Sequence, residues 1–341
     1  MKVLVTGASG FLGGHIVDAC VAAGDSVRAL VRPSSDRSHL LTVPGVEIVE
    51  GDLTDEASLR AAAEGVEAVH HSAARVFDYG SRAQFWDVNV TATERLLRVA
   101  RDSGAGRFVF VSSPSAVMTG RDQLGIDETT PYPSRYLNLY SETKAAAERA
   151  VLAANGPGFI TCALRPRAVW GPRDWHGFMP RILGLMQAGR MPDLSGGKRV
   201  LASMCHCRNA AHACVLATRS DQVGGRAFFI ADAETTDVWA LMAEVAERFG
   251  VDPPTRRIPA PLRDTLVAAI ELLWRVPYLA NNHPPPLSRY SVALLTRSST
   301  YDTTAAREAF GYSPVIDQAK GLDELQNWIE ELGGLTAYTK R

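Results

Sequence analysis

Tyr140 and Lys144 stand four residues apart in Tyr140-Ser141-Glu142-Thr143-Lys144, an interval that puts two side chains on one face of a helix. A phenol with an ordinary pKa of about 10 is a poor proton donor or acceptor at neutral pH unless a positive charge stabilises its anion. Lys144 offers that charge, so the pair is expected to pass a proton to or from an oxygen of a bound molecule. Upstream, Phe110-Val111-Ser112-Ser113 closes an apolar, β-branched run. A serine hydroxyl at the carboxyl end of a strand can hold the same oxygen, with Ser113 the first choice and Ser115 the reserve. Tyr-x-x-x-Lys also arises by chance on exposed helices, so this reading depends on its surroundings.

The strongest surrounding feature is Thr6-Gly7-Ala8-Ser9-Gly10-Phe11-Leu12-Gly13, which follows Val3-Leu4-Val5 and opens a helical pattern. Gly7 permits a tight turn, Gly10 lets backbone N–H groups approach a pyrophosphate, and Gly13 lets helix and strand pack closely. The loop, with Ser9, Phe11 and Leu12 in the same turn, is therefore expected to hold a dinucleotide. An acidic residue ending the second strand would bind the adenosine 2'-hydroxyl, whereas a cation would accept a 2'-phosphate. Val31 stands at that acidic position and is followed by Arg32 and Arg37, which predicts NADP(H) as the preferred cofactor and leaves NAD(H) as the alternative. Asp52 and Leu53 are expected at the adenine, and the small residues Ser72, Ala73 and Ala74 where the cofactor lies closely against the chain. His70 and His71 read as structural residues ending a strand. A nicotinamide beside Tyr140 implies reversible interconversion of a secondary alcohol and a ketone.

These residues need a scaffold that brings them to one edge. Val3–Thr6, Ser26–Val31, Val46–Glu50, Ala68–His70, Arg107–Ser112 and Phe159–Leu164 read as strands, separated by helical patterns over Leu12–Ala23, Ser58–Ala63, Gln84–Ser103 and Tyr140–Asn155. Such alternation predicts an α/β fold, a doubly wound parallel sheet of Rossmann type whose ligands lie beyond the carboxyl ends of its strands. Past Pro172 prolines and glycines become frequent and helices dominate, which predicts a smaller, mainly helical C-terminal substrate lobe. The expected division is 1–171 for the dinucleotide-binding and catalytic domain and 172–341 for the lobe, with about 200–235 returning to the first domain. Leu262, Leu266, Ile270 and Leu273 share one side of a helix, expected to pack on the lobe's core, with a lid over a greasy substrate as the alternative.

A formal net charge of -1 with 21% charged residues leaves no basic surplus for a phosphate backbone, so nucleic acid is excluded as a partner. The apolar stretch Leu262–Val276 is broken by Arg263, Asp264, Glu271 and Arg275, too many charges for a spanning helix of about 20 apolar residues. Met1-Lys2 leads directly into the first strand without room for a secretory leader, and the expected location is the cytoplasm. Five cysteines form an odd, sparse set that fits reduced thiols. Cys205-His206-Cys207 invites a metal reading, but structural zinc spacings leave more residues between paired ligands, so strand alternation onto a buried face is preferred and no metal is expected. Asn89-Val90-Thr91 fits a glycosylation sequon and is discounted inside a helical pattern.

Together these segments resemble the extended short-chain dehydrogenase/reductase superfamily over nearly the whole chain. Ser112–Val117, Leu164–Asp174, Thr300-Tyr301-Asp302 and Phe310–Pro314 are most similar to its 3β-hydroxysteroid dehydrogenase branch, including sterol-4-carboxylate 3-dehydrogenases and 2-alkyl-3-oxoalkanoate reductases. The resemblance implies Ser113, Tyr140 and Lys144 as a catalytic triad, Asn89 as a helix residue supporting it, and Pro166 and Val169 at the cofactor. It further points to Ser115, Met118, Trp170 and Arg173 at a small hydrophobic substrate, sterol-like or β-keto acyl. Arg208 precedes Asn209 where many relatives carry aspartate, and Cys205 and Cys207 replace commoner apolar or aromatic residues, so the C-terminal pocket departs from the pattern. Proteins of this build often pair through helices such as Gln84–Ser103 and Tyr140–Asn155, which leaves a homodimer open. A nucleotide-sugar epimerase or dehydratase on the same body is the competing enzyme. It would want a polar, cationic lobe, whereas residues 176–190 offer mainly Phe178, Met179, Ile182, Leu183, Leu185 and Met186. A non-catalytic NADP-sensing regulator would not need the Ser, Tyr and Lys set.

Overall fold

The computed structural model describes residues 1–76 and 79–340. Seven strands form its main sheet: β1 (Lys2–Thr6), β2 (Ser26–Val31), β3 (Val46–Glu50), β4 (Ala68–His71), β5 (Arg107–Val111), β6 (Ile160–Pro166) and β7 (Arg226–Ile230). They lie in the order β7-β6-β5-β4-β1-β2-β3, every neighbouring pair parallel. Alternation along β1 shows why helices must cover both faces. Val3 and Val5 enter one buried cluster with Ile16, Val17 and Phe228, while Leu4 enters another with Leu96, Phe108 and Val151. Helices α1 (Phe11–Ala22) and, later in the chain, Cys207–Thr218 cover the first face. Helices α2 (Glu56–Ala63), α3 (Ala92–Asp102) and α4 (Leu139–Ala153) cover the second. Because the chain crosses back from β3 to place β4 beside β1, the switch point opens above Thr6 and His71.

The helix expected over Gln84–Ser103 is interrupted. A short helix at Arg82–Trp86 passes through a π-helical turn at Asp87–Thr91 into α3. That widened turn carries Asn89, whose Nδ2 donates to Arg75 O and Thr143 Oγ1, both at 3.0 Å, while its Oδ1 accepts from Arg75 N at 2.7 Å. The amide ties the loop after β4 to α4, one residue from Lys144, and such bulges recur at functional sites.

The rest of the chain gathers around a separate apolar cluster that includes Trp170, Leu183, Met186, Leu241, Val245, Leu325 and Ile329. Helices predominate, with a small four-stranded sheet whose members include Gln123–Ile126 and Ser299–Tyr301. Helix α5 (Ala260–Leu273) corrects the expectation for Leu262, Leu266 and Leu273, which are 53%, 43% and 58% exposed. Arg263 and Val267 face inward instead, because the Arg263 guanidinium is held by Leu194 O at 3.0 Å and by Asp264 at 2.8 Å. Helix α6 (Arg289–Thr296) follows and packs between this region and the sheet's carboxyl edge. Cys205-His206 forms a two-residue strand, and Cys207 begins a helix rather than continuing the alternation. No helix among the described residues is long and apolar enough to cross a membrane.

Beneath the sheet's carboxyl edge, the Arg165 guanidinium gives two hydrogen bonds to the Glu148 carboxylate, at 2.7 and 3.0 Å, with both side chains shut off from water. Ser112 Oγ and Tyr132 OH donate to the same carboxylate at 2.5 and 2.7 Å. Glu148→Gln leaves the guanidinium buried without its counter-charge and is expected to cost about 3–5 kcal/mol, read as a lowered urea midpoint. Glu148→Gln combined with Arg165→Met should recover most of that loss.

Candidate active site

The turn after β1 is shaped by close approach. Gly7 has φ +70, and a Cβ there would meet Ala73 N at 2.8 Å; a Cβ on Gly13 would lie 2.0 Å from Gly7 O. Neither position accepts a side chain, so the turn presses against both the loop after β4 and its own helix. Helix α1 begins at Phe11 with no side chain capping its first turn. Its leading N–H groups therefore stay available to an anion at the helix's positive end.

Above this turn lies a crevice of about 590 Å³ between the sheet's carboxyl edge and α6. Its floor includes Gly7, Ser9, Gly10, Phe11, Leu12 and Gly13, with Arg32, Ser35, Asp52 and Leu53 toward one end. Ser72, Ala73 and Ala74 line it as well, together with Ser113, Tyr140, Lys144, Pro166 and Val169. Asp52 is held below the usual carboxylate range by hydrogen bonds from the Thr54 hydroxyl and backbone. Arg37, expected as a second cofactor arginine, stands outside the lining of this crevice. Its guanidinium is drawn to Glu50 at 2.7 Å.

Ser113 is extended and opens the short 3-10 turn Pro114–Val117, its Oγ accepting from Ser115 N at 3.2 Å. The Ser113 hydroxyl is also a hydrogen-bond partner of the Tyr140 phenol; burial nevertheless pushes that phenol up to about 12. Asn138 caps α4 through Ser141 N at 2.9 Å, placing Tyr140 in the first turn. Lys144, a turn later, donates to Val111 O at 2.7 Å and lies 4.5 Å over the Phe110 ring. Burial pulls its ammonium down to about 7, against a smaller opposing pull from Glu148. Burial is the larger influence on the Tyr140 phenol, opposed by the Ser113 hydrogen bond, while the Val111 carbonyl engages the Lys144 ammonium.

His71 is buried beside this group, hydrogen-bonded to Thr6 at 2.7 Å and Thr93 at 2.9 Å. Thr93 gives its own proton to Asn89 O, so His71 donates to Thr93 and accepts from Thr6. Burial lowers its pKa to about 3, which keeps it neutral. Asn89, the formal glycosylation site, is buried as well. Among the described residues no group of three His, Cys, Asp or Glu side chains could hold a metal ion.

Four residues expected at the substrate are not among those lining this crevice. Ser115, inside the 3-10 turn, and Met118, which follows it, are buried and do not line the crevice. Trp170 fills the lobe's apolar cluster, its Nε1 donating to Asp232 at 3.1 Å. Arg173 is bound to His15 at 2.7 Å and Asp18 at 2.5 Å, pinning the entry to the lobe onto α1. Instead the crevice receives Tyr290 from α6, whose ring meets that of Tyr140 edge to face at 6.5 Å, and Val88 from the π turn. Tyr290 carries no spacing signal linking it to Tyr140, and Val88 becomes visible only with the widened turn. Ala168, also at the crevice, has φ 44, a strained conformation for a residue with a Cβ.

A doubly wound sheet with a glycine turn at its switch point, and a serine, a tyrosine and a lysine at one end of the crevice, defines an NAD(P)-dependent oxidoreductase of the extended short-chain type. The model of the 3-beta hydroxysteroid dehydrogenase/isomerase family matches residues 4–260, and the chain belongs to that family. It is 34% identical over 326 residues, covering 96% of each chain, to the 4-hydroxy-2-methyl-3-oxo-4-farnesyl-3,4-dihydroquinoline-1-oxide ketoreductase of Stigmatella aurantiaca. It is 32% identical to the 2-alkyl-3-oxoalkanoate reductase of Shewanella oneidensis, covering 94% of this chain and 84% of that one. The dTDP-glucose 4,6-dehydratase of Streptomyces venezuelae, solved with NAD bound, shares the fold at a TM-score of 0.76 with 22% identity over 98% of both chains.

The lowered Lys144 pKa has a testable sign. Below about 7 the buried ammonium is charged, and above it the charge is lost. Dinucleotide binding, followed by nicotinamide fluorescence, is expected to weaken as the pH rises through that value, and Lys144→Met is expected to flatten the limb.

Proposed function

We propose that this protein is an NADPH-dependent ketoreductase that converts a ketone on a hydrophobic substrate, a β-keto acyl chain or a sterol-like ring, into a secondary alcohol. The observation that carries the reading is the meeting of the Ser113 hydroxyl with the half-buried Tyr140 phenol in a crevice floored by the glycine turn. A carbonyl oxygen placed between them receives a hydrogen bond from Ser113 and the proton of Tyr140. A phenol is protonated at neutral pH, so Tyr140 carries the proton that the reductive direction requires. Lys144, anchored by Val111 O, holds a positive charge at the crevice below a pH of about 7. When bound, the dinucleotide supplies the reducing equivalents as hydride.

The glycine turn fits a pyrophosphate because a Cβ at Gly7 or Gly13 would fill the space the turn needs. Arg32 lines the crevice where β2 ends, and Val31 stands in place of an acid that would repel a 2'-phosphate. A hydrophobic substrate is supported by Val76, Val88, Ala168 and Tyr290 along the crevice and by the names of the two ketoreductase relatives. The likeness to a nucleotide-sugar dehydratase stays at the level of the fold.

Tyr140→Phe should preserve cofactor binding and lower kcat by about 10²–10⁴-fold, since it removes the transferable proton and little volume. The assay is NADPH oxidation with a 2-alkyl-3-oxo acid, a 3-ketosteroid and a nucleotide sugar in parallel, and turnover of the nucleotide sugar alone would reverse the proposal. Arg32→Ala should raise the KM for NADPH by about 10–100-fold, the loss of a hydrogen bond to a charged group, with little change for NADH.

A further inference from the structure

Helix α6 borders two cavities. Tyr290 faces the crevice, while Arg289, Val292, Ala293 and Thr296, spaced along another face, line a second cavity of about 490 Å³. Across from them stand Arg263, Asp264 and Val267 of α5, the segment Thr119–Arg121 and Leu137, while Arg297 caps the end of α6 itself. Four arginines thus share this space with a single carboxylate, Asp264.

The pairing leaves a surplus. Arg263 is bound to Asp264 at 2.8 Å and Arg289 to Glu271 at 2.7 Å. For the side chains of Arg121 and Arg297, by contrast, the described residues provide neither an ion pair nor a hydrogen bond. Arg263 is buried with its guanidinium fixed on Leu194 O, so part of the positive wall is built into the lobe rather than trailing in solvent. Like charges around a concave wall repel one another and raise the local potential for an anion. Guanidinium groups in such a wall suit carboxylate and phosphate oxygens, which accept paired N–H donors.

The cavity's place relates it to the chemistry. Thr119 and Gly120 directly follow the Ser113–Met118 segment, and the residue after Arg289 packs its ring against Tyr140. The two spaces therefore lie roughly one helix diameter apart, about 10 Å. We propose that the second cavity takes an anionic group, carboxylate or phosphate, at the end of the substrate remote from its reacting carbonyl. This rests on the ketoreductase reading and narrows it: the substrate is an amphiphile, with a ketone at one site, an anion at the other and an apolar span between them.

Two measurements test it, one independent of turnover. Inorganic pyrophosphate is titrated calorimetrically into the NADPH-saturated protein, which fills the glycine turn, and into Arg121→Ala/Arg297→Ala. Binding that weakens at least tenfold in the variant supports the site, whereas equal binding overturns it as an adventitious ion. In the second arm, matched β-keto esters with a neutral or a carboxylate far end are compared. The variant should raise KM for the carboxylate substrate by about tenfold while leaving kcat, the neutral substrate and the KM for NADPH unchanged. Arginine-dependent pyrophosphate binding without that KM difference would assign the cavity to a free anion and overturn the substrate assignment. Wild-type protein that binds pyrophosphate through these arginines yet reduces no ketone would sink the ketoreductase reading and leave the anion site standing.

Discussion

Everything near the crevice is braced by one ion pair held away from water. Removing the Glu148 carboxylate and the Arg165 guanidinium from solvent is costly, and the pair persists because its geometry is nearly complete, with Ser112 and Tyr132 supplying further donors. The pair joins α4, β6, the end of β5 and the loop before α4. Glu148 lies one helical turn beyond Lys144, and its charge is the force that opposes burial at the lysine. The ion pair thus fixes where the serine, tyrosine and lysine stand and also moderates how far the ammonium is depressed.

The crevice itself follows from two different kinds of constraint. At the glycine turn the constraint is steric: backbone meets backbone so closely that side chains at Gly7 and Gly13 have no room. At the opposite end it is polar, with Asn89 clasping two segments through a widened helical turn and His71 held neutral between two threonines. A rigid floor and a hydrogen-bonded wall meet at the switch point of the sheet, where strand order opens a gap. Tyr290 closes the top from the lobe, so the site is assembled from segments far apart in sequence.

Much of the fold was readable because its signals are local. Strand after strand of β-branched residues, separated by helical spacing, dictates a parallel sheet, and the observed boundaries differ from the reading by a residue or two. The glycine turn and the Tyr-x-x-x-Lys interval are local as well, since each lies within one turn of backbone. What escaped the reading depends on partners distant in sequence. Arg37 looks like a cofactor cation until β3 brings Glu50 beside it, and Arg173 looks like a substrate contact until α1 presents His15 and Asp18. The apolar stripe of α5 faces outward because one buried arginine finds a carbonyl on the other side, and hydrophobic spacing alone cannot weigh that hydrogen bond.

The five cysteines carry a consequence of their own. All are buried and unpaired, lying between sheet and helices or at the lobe's edge, and burial raises the pKa of each thiol. A thiolate is the species that reacts with disulfides and alkylating agents, so the folded chain offers such reagents almost nothing to attack. Its sulfur chemistry stays silent until the layers part, which makes the rate of thiol labelling a built-in clock for the opening of the molecule.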